Sequence, residues 1–367
     1  MVKRVISQNL FLSVIVPVYN TPIEHMRRCF LSLANQSCKD FELIVVDGGS
    51  VVDVANFLDE LPTLFNYIKV EHISHCGVSA TRNRGLELAS SSYVAFADSD
   101  DEYSLDFVKE AKEYVEKYAP DIVYGTITFV PTVNEIQDDS KVHYFDKLDE
   151  IREVYKALLD IPKNGWGLRV FRSQCSRVYR YSLASRVRFD ENVSCGEDGL
   201  FNRKCLRQAK SVLMVPNSWY IYYANDYSVT HQKKETFFQM HKHYYDAFID
   251  INQMEDIEMR KLLLVPQYKS FFAVMRCDVI GNEVNEKRTK KRSKSQCEMG
   301  RIIDETLSHP YFASAFEGLR GSRAIGFVDR VFVYLVNHRM YRLLIFCCRI
   351  GIEFRNIIRR IQGRERF

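Results

Sequence analysis

The chain has 367 residues, of which 46% are hydrophobic and 27% are charged, and this composition excludes a disordered or collagen-like protein. The net charge is +4, and residues 339–367 hold eight Arg and two Glu, or +6, so residues 1–338 sum to −2. A nearly neutral body argues against a general nucleic-acid binder, and we expect no nucleic-acid partner.

The ten cysteines are scattered along the chain and form no Cys-x-x-Cys pair. Scattered thiols suit a reducing cytosol better than the disulfide framework of a secreted protein. The apolar run near the N-terminus lacks the small-residue cleavage site of a signal peptide, and no run reaches the roughly 18 apolar residues of a membrane span. We therefore expect a cytoplasmic protein without a spanning helix.

Strand and helix patterns alternate over the first 130 residues. A helix is predicted over 24–36, where apolar residues recur at helical spacing. A second helix is predicted over 77–88, between two predicted strands. Apolar, β-branched runs predict strands at 12–18, 41–46, 66–72 and 93–97. This order predicts an α/β fold, a Rossmann-like and mainly parallel sheet flanked by helices.

The pattern becomes less regular after residue 121 and turns helical from about 233. A helix is predicted over 148–159, and another opens at Glu197. Further strands are predicted at 122–130, 176–180, 212–215 and 219–223. The chain thus divides into an α/β part, 1–232, and a helical part, 233–367.

Polar residues follow three of the predicted strands: Tyr19-Asn20, Asp47, and Asp98 with Asp100. In open α/β sheets ligands bind beyond the carboxyl ends of the strands. Any one of these residues could simply cap a helix or form a turn. Three such sets at one edge of a sheet favour a binding site.

Asp98-Ser99-Asp100 places two carboxylates at i and i+2 directly after an apolar strand. On an extended chain these side chains point the same way, and two like charges side by side need a neutralising cation. Magnesium and manganese prefer oxygen ligands and commonly bridge carboxylates to substrate phosphates. The motif therefore favours a site for Mg²⁺ or Mn²⁺ and a diphosphate.

Asp47 precedes two glycines, which let a ligand approach the backbone, and its carboxylate could accept a hydrogen bond from a base N–H. Tyr19 offers a flat face for stacking. Arg82 could orient a carboxylate cluster or hold a base or phosphate. Glu197-Asp198 could supply a general base, or could only stabilise the start of a helix.

Several motifs, in this order, resemble family 2 inverting glycosyltransferases with the GT-A fold over about residues 10–232. They are SVIVPVYN, VVDGGS, GVSATRNRGLELASSSYVAFADSDD, CSRVYRYSLASRVRFDENV, GEDGLF and WYIYYANDYSVT. The resemblance implies a nucleoside-diphosphate sugar donor, which we take as a UDP-sugar, a divalent metal, and a single displacement with inversion. It also implies a donor-binding half at about 10–130 and an acceptor-side half at about 131–232.

The resemblance assigns a role to each matching residue. Tyr19 and Asp47 would contact the base, Arg82 would stand near base and diphosphate, Asp98 would hold the ribose, and Asp198 would be the base that deprotonates the acceptor. The remaining members of the expected site are Pro17 and Ser99 with the donor, Glu197 beside the catalytic base, and Asp100, Asp98 and His231 with the metal. For His231 an ordinary loop histidine is the alternative.

Two departures from the family pattern stand out. The family often has DDGS where this chain has Asp47-Gly48-Gly49-Ser50, and its WNKLYR is replaced by CSRVYR at 175–180. A catalytically degenerate GT-A scaffold and a sugar-nucleotide nucleotidyltransferase remain as alternatives. The second would be expected to carry a Gly/Lys/Arg-rich phosphate loop after the first strand, and PVYNTPIEH contains none.

Residues 340–362 predict a basic amphipathic helix. Its arginines lie largely opposite an apolar arc of ~120°. That arc contains Leu343, Phe346, Cys347, Ile350, Phe354, Ile357, Ile358 and Ile361. Such a helix suits an anionic membrane surface at the cytoplasmic face and an acceptor that is a glycan or lipid-linked glycan, as in polysaccharide, capsule or lipopolysaccharide biosynthesis. A helix packed on the protein is the alternative.

Overall fold

The computed structural model describes residues 10–130, 141–159, 173–224, 236–280, 294–322 and 325–361, with side chains up to residue 351. The chain forms two compact units. Unit 1 comprises residues 1–158 and 162–231, and unit 2 comprises 159–161 and 232–367.

The described strands of unit 1 form one mixed sheet of nine strands in the order β3-β2-β1-β4-β8-β6-β9-β5, with β7 paired to β9. Strands β1 to β4 are parallel to one another, and β8 runs antiparallel to both β4 and β6. The strands are β1 Leu12–Val18, β2 Phe41–Asp47, β3 Ile68–His72, β4 Tyr93–Phe96, β5 Glu102–Tyr103, β6 Ile122–Val130, β7 His143–Phe145, β8 Arg177–Arg180 and β9 Val212–Tyr223. The mainly parallel sheet flanked by helices is confirmed.

The helices of unit 1 lie between these strands, and those of unit 2 follow one another. In unit 1 they are α1 Ile23–Ala34, α2 Val52–Glu60, α3 Gly77–Leu88, α4 Phe107–Tyr118, α5 Leu148–Leu158, α6 Tyr181–Ala184 and α7 Glu197–Gln208. In unit 2 they are α8 Phe237–Met240, α9 Lys242–Gln253, α10 Ile257–Val274, which continues as a π-helix over Met275–Ile280, α11 Gln296–Ser308, α12 Pro310–Gly318, α13 Phe327–Asn337 and α14 Tyr341–Ile361.

Close packing of α3 on the sheet places the helix next to the strand ends. Every residue of β1 is buried, as the continuous apolar run predicts for a central parallel strand. Gly85 of α3 lies against Ile15 of β1 so tightly that an added Cβ would come within 2.3 Å of the Ile15 side chain. The glycine therefore allows α3, which carries Arg82, to approach β1 directly.

Several strand boundaries differ from the sequence prediction by one or two residues, and two of the differences change how the strands are interpreted. The segments 212–215 and 219–223 form a single strand, β9, which stays paired with β6 through a register irregularity between Tyr124 and Ile127. Strand β4 ends at Phe96, and the chain then turns, with the Asp101 N–H donating to the Asp98 carbonyl oxygen. The alternation of an extended strand is thus not what orients Asp98 and Asp100.

The core of unit 2 is aromatic. Tyr245 stacks on Tyr311 with ring centroids 4.6 Å apart, and Phe271 meets Phe316 edge to face at 4.9 Å. Helix α14 is anchored in this unit by Leu344, which is fully buried. Among the described helices, none combines the length and the apolar character needed to cross a bilayer.

Candidate active site

The centre of the site is the Arg82 guanidinium, which contacts three carboxylates. Its Nη2 donates to Asp98 Oδ1 at 3.0 Å, and its Nη1 donates to Glu197 Oε1 and Asp198 Oδ1, both at 2.9 Å. The Arg82 side chain is almost completely buried, whereas Asp98 and Asp198 keep 33% and 25% of their side-chain surface exposed. Arg82 therefore links the turn after β4 to the start of α7, and a ligand can still reach two of the carboxylates.

Gln174 is a further member of this cluster that the sequence did not indicate. It is fully buried just before β8. In the amide orientation that satisfies its neighbours, its nitrogen donates to Asp198 Oδ1 at 2.7 Å and its oxygen accepts from Arg82 Nη2 at 2.8 Å. The Asp198 carboxylate is thus held from two sides.

The environment of Asp198 suits a proton acceptor. Burial raises the pKa of Asp198 well above its usual value, the Arg82 charge opposes that shift, and the charges of Glu197 and Asp98 add to it. A carboxylate with a raised pKa is a stronger base than an ordinary exposed one. Asp198 is thus both a carboxylate in the first turn of α7 and a member of the Arg82 cluster.

The turn after β4 is fixed by hydrogen bonds. The Tyr220 hydroxyl accepts from the Asp98 N–H at 3.0 Å and donates to Asp101 Oδ2 at 2.9 Å. Burial, together with the neighbouring charges of Asp98 and Asp100, raises the pKa of Asp101 to about 8. Arg28 of α1 donates to the carbonyl oxygen of Asp100. The acidic turn is therefore held by its own backbone and by two neighbours that the sequence did not point to.

Asp47, the last residue of β2, is buried and has a partner on each oxygen. Its Oδ1 accepts from the Ser50 N–H at 2.9 Å, and its Oδ2 lies 2.8 Å from His72 Nδ1 at the end of β3. Burial alone would raise the pKa of Asp47, but the hydrogen bonds from Ser50 and His72 lower it below its usual value. The hydrogen bond to Asp47 raises the pKa of His72, and a weaker contact with Asp59 adds to this shift. An ionised Asp47 is thus fixed at the edge of the sheet.

Tyr19 lies at the same edge and is half exposed, with its ring stacked on His75 at a centroid distance of 4.1 Å. The next residue, Asn20, has a φ of 51°, a left-handed conformation that asparagine tolerates, and its Oδ1 accepts from the Val51 N–H at 2.9 Å. Pro17 is buried inside β1, opposite Val46 of β2. The aromatic ring therefore projects from the edge, while the proline belongs to the strand.

The other expected site residues have different surroundings. Ser99 is buried, and its hydroxyl lies 2.6 Å from that of Thr21. His231 lies outside the described residues. Arg84, two positions after Arg82 on α3, points to the surface and pairs with Glu71 and Glu87. Of the two arginines of this helix, one is thus buried in the carboxylate cluster and the other lies at the surface.

The carboxylates of the acidic turn could supply part of a metal site. In the described ranges no group of three or more His, Cys, Asp and Glu side chains is arranged to hold a metal ion. Asp98 and Asp100 do supply carboxylate oxygens on one turn, and Asp98 is one-third exposed. This fits the share that a protein contributes to a magnesium site whose other ligands are substrate phosphates and water.

A known family matches most of unit 1. The model of the family "Glycosyl transferase family 2" matches residues 13–187, which include Tyr19, Asp47, Arg82 and the acidic turn. Residues 13–187 belong to glycosyl transferase family 2. The matched segment ends before Glu197. Glu197 and Asp198 of α7 therefore lie outside it, but both accept hydrogen bonds from Arg82, which lies inside it.

The curated relatives that the chain matches have the name glycosyltransferase. The chain is 28% identical over 223 residues to glycosyltransferase GlyA of Streptococcus pneumoniae, an alignment that covers 58% of this chain and 30% of that protein. It is 28% identical over 221 residues to the uncharacterized glycosyltransferase EpsJ of Bacillus subtilis, covering 59% of this chain and 62% of EpsJ. The chain therefore spans less than two thirds of either relative.

Solved structures extend the likeness to nearly the whole fold. S. aureus TarS 1–349 in complex with UDP-GlcNAc superimposes with a TM-score of 0.68 at 19% identity, covering 93% of this chain and 92% of that one. The same TarS fragment in complex with UDP gives a TM-score of 0.60. At this identity the match confirms the GT-A fold and the presence of a helical C-terminal region.

Proposed function

We propose that this family 2 glycosyltransferase transfers a sugar, with inversion, from a UDP-sugar to a hydroxyl of a glycan or lipid-linked glycan. One observation carries the proposal. Arg82 joins Asp98, at the end of a sheet strand, to Glu197 and Asp198, about a hundred residues later in the chain. A donor-side carboxylate and a candidate base are thereby fixed within one cluster.

The donor would lie across the strand ends. Tyr19 would stack on the base and the ionised Asp47 would accept its N–H, while Asp98 and Ser99 would lie at the ribose and the diphosphate. The choice of UDP rests on the UDP-GlcNAc and UDP complexes of TarS. Asp100, with Asp98, would hold Mg²⁺ or Mn²⁺, which supplies Lewis-acid stabilisation of the leaving diphosphate when bound.

Asp198 would act on the acceptor. Its carboxylate takes the proton of the attacking hydroxyl while the hydroxyl oxygen bonds to the anomeric carbon, and the bond from that carbon to the diphosphate breaks, its electron pair leaving with the diphosphate. Attack from the face opposite the leaving group inverts the anomeric centre. Arg82 and Gln174 keep Asp198 in one orientation, so the proton acceptor is in place before the acceptor enters. Glu197 shares the charge of Arg82 with Asp198.

We further propose that the protein acts at the cytoplasmic face of a membrane in polysaccharide, capsule or lipopolysaccharide biosynthesis, with α14 on the anionic lipid surface. In the part of α14 whose side chains are described, three members of the predicted apolar arc face solvent, since Leu343, Phe346 and Ile350 are between 43% and 59% exposed. The helix packs instead through Leu344 and Ile345, which are buried. An exposed apolar stripe in a segment with an excess of arginine is what an interfacial helix requires.

A donor screen tests the transfer proposal. The full chain is incubated with UDP-, GDP- and dTDP-sugars, with Mn²⁺, Mg²⁺ or EDTA, and released nucleoside diphosphate is measured, while calorimetry follows the binding of UDP, GDP and dTDP. We expect UDP to bind and to be released from a UDP-sugar only with metal. Binding of none of the three diphosphates would contradict the proposal, and release in EDTA would refute its metal-dependent part.

A further inference from the structure

Helix α13, directly before α14, has an apolar face that is exposed in the described part of unit 2. Phe327, Val331 and Tyr334 are spaced at i, i+4 and i+7 and share one side of the helix, where the Tyr334 ring contacts His338. Together with Val328 they are between 40% and 72% exposed. The opposite side packs into the unit through Val333 and Val336. Exposed apolar groups at this density mark an interaction surface.

The exposed apolar residues of α13 and those of α14 are close to one another along the chain. Only residues 338–340 separate the helices, and the turn is tight, because Arg339 has a φ of 52° and the Met340 N–H donates to the Leu335 carbonyl oxygen at 2.8 Å. Met340 itself is exposed. Both helices bury one side in unit 2 and present apolar side chains on the other.

The net charge of these helices indicates which partner their exposed apolar residues contact. Residues 325–351 contain four arginines and a single acid, Asp329, which is a net +3. The acid is engaged, since the Tyr268 hydroxyl donates to Asp329 Oδ1 at 3.1 Å. Arg330, Arg339 and Arg342 are exposed. Apolar side chains rimmed by arginines match the boundary between acyl chains and anionic headgroups.

We propose that α13 and α14 together form one membrane-contact surface, with Phe327, Val331 and Tyr334 entering an anionic bilayer beside Leu343, Phe346 and Ile350. This inference rests on the proposed membrane association of α14 and adds a second helix to it. Two apolar stripes give more buried surface than one, so the loss of either should weaken binding without abolishing the charge attraction.

The test uses the full chain and sedimentation with vesicles of equal parts phosphatidylglycerol and phosphatidylcholine. Truncation is avoided, because the tail contains the buried Leu344. The α13 variant, Val331→Asp with Tyr334→Asp, is compared with a control, Met254→Asp with Ile257→Asp. All four residues are exposed and lie in unit 2, and each pair of changes lowers the net charge by two.

We expect the partition coefficient of the α13 variant to fall about ten-fold below that of the control, because only the variant loses apolar contact with lipid. If circular dichroism shows that the double variant is unfolded, Tyr334→Ser against Ile257→Ser repeats the comparison at a smaller expected effect. Equal partitioning of variant and control would overturn the two-helix surface.

A third variant, Phe346→Asp with Ile350→Asp, separates the two proposals. If it loses binding while the α13 variant does not, α14 alone contacts the membrane and this inference is wrong. If the wild type fails to sediment with the vesicles, both proposals fail. A wild-type oligomer in light scattering that the α13 changes dissociate would show that a second copy covers the surface, and would also overturn it.

Discussion

Replacing Arg82 by methionine should destabilise unit 1 by about 3 kcal/mol near neutral pH. Methionine keeps an unbranched chain of similar length but leaves Asp98, Glu197 and Asp198 without their shared cation, at distances of 2.9–3.0 Å in the native cluster. Removing one partner from a buried ion pair costs roughly 3–5 kcal/mol, and the partial exposure of Asp98 and Asp198 places this case at the lower end. Burial lowers the pKa of Arg82, but the charges of Asp198, Asp98 and Glu197 raise it further, so Arg82 stays charged at every pH at which the protein folds.

The loss should depend on pH. Burial already raises the pKa of Asp198, and the variant loses the Arg82 charge that opposes this shift, so its folded state binds a proton at Asp198 more tightly than the unfolded state does. The destabilisation is therefore fully developed above the raised pKa of Asp198 and shrinks as the pH falls toward the unfolded value of about 4. Urea unfolding at pH 8 and at pH 5.5 measures this difference.

Arg84→Met is the matched control. Arg84 lies on the same helix, contacts two carboxylates and is exposed, so the same chemical change should have little effect at either pH. Arg82→Lys should fall between wild type and Arg82→Met, because a lysine keeps the charge but not the fork that reaches three partners. Equal stability of the Arg82 and Arg84 methionine variants at pH 8 would refute the cluster as described.

Two further predictions concern the ends of the sheet. Asp100→Ala should abolish metal-dependent release of nucleoside diphosphate while leaving the unfolding transition unchanged, and wild-type turnover by this variant would remove the proposed metal ligand. His72→Gln should lower the free energy of unfolding more at pH 5.5 than at pH 9. The pKa of His72 is raised in the folded state, so its contribution to stability is complete below the unfolded-state pKa and is lost as the pH rises through the folded-state pKa. Urea unfolding at both pH values measures the difference, and a pH-independent difference would contradict the ion pair with Asp47.

The bounds of strands and helices could be predicted where the local sequence decides the structure. Strand β1 and helix α3 have the predicted bounds, because a mainly apolar run rich in Val and Ile marks the first and a glycine opens the second. Strand β9 was predicted as two pieces, since Pro216 and Asn217 interrupt the apolar run. Pairing with β6 carries the strand through that interruption, and such tertiary support cannot be read from local sequence.

The site residues could be predicted singly, but their partners could not. Arg82 could orient carboxylates or hold a ligand, and its contact with Asp198, 116 positions away, depends on how α3 and α7 meet in the folded unit. The local sequence does not indicate a role for Gln174, because that role depends on the contacts of its amide with Asp198 and Arg82 in the folded protein. The apolar residues of α13 likewise fit a core as well as a surface until the packing of unit 2 is known.

The most direct test of the central claim is the turnover of Asp198→Asn with a UDP-sugar and Mn²⁺, measured beside its affinity for UDP and beside Glu197→Gln. Asparagine nearly keeps the shape of aspartate but cannot take the proton of the acceptor. We expect unchanged UDP binding and a turnover lower by roughly 10²–10⁴-fold. Undiminished turnover of Asp198→Asn would contradict it, whether the activity then depends on Glu197 or on neither carboxylate.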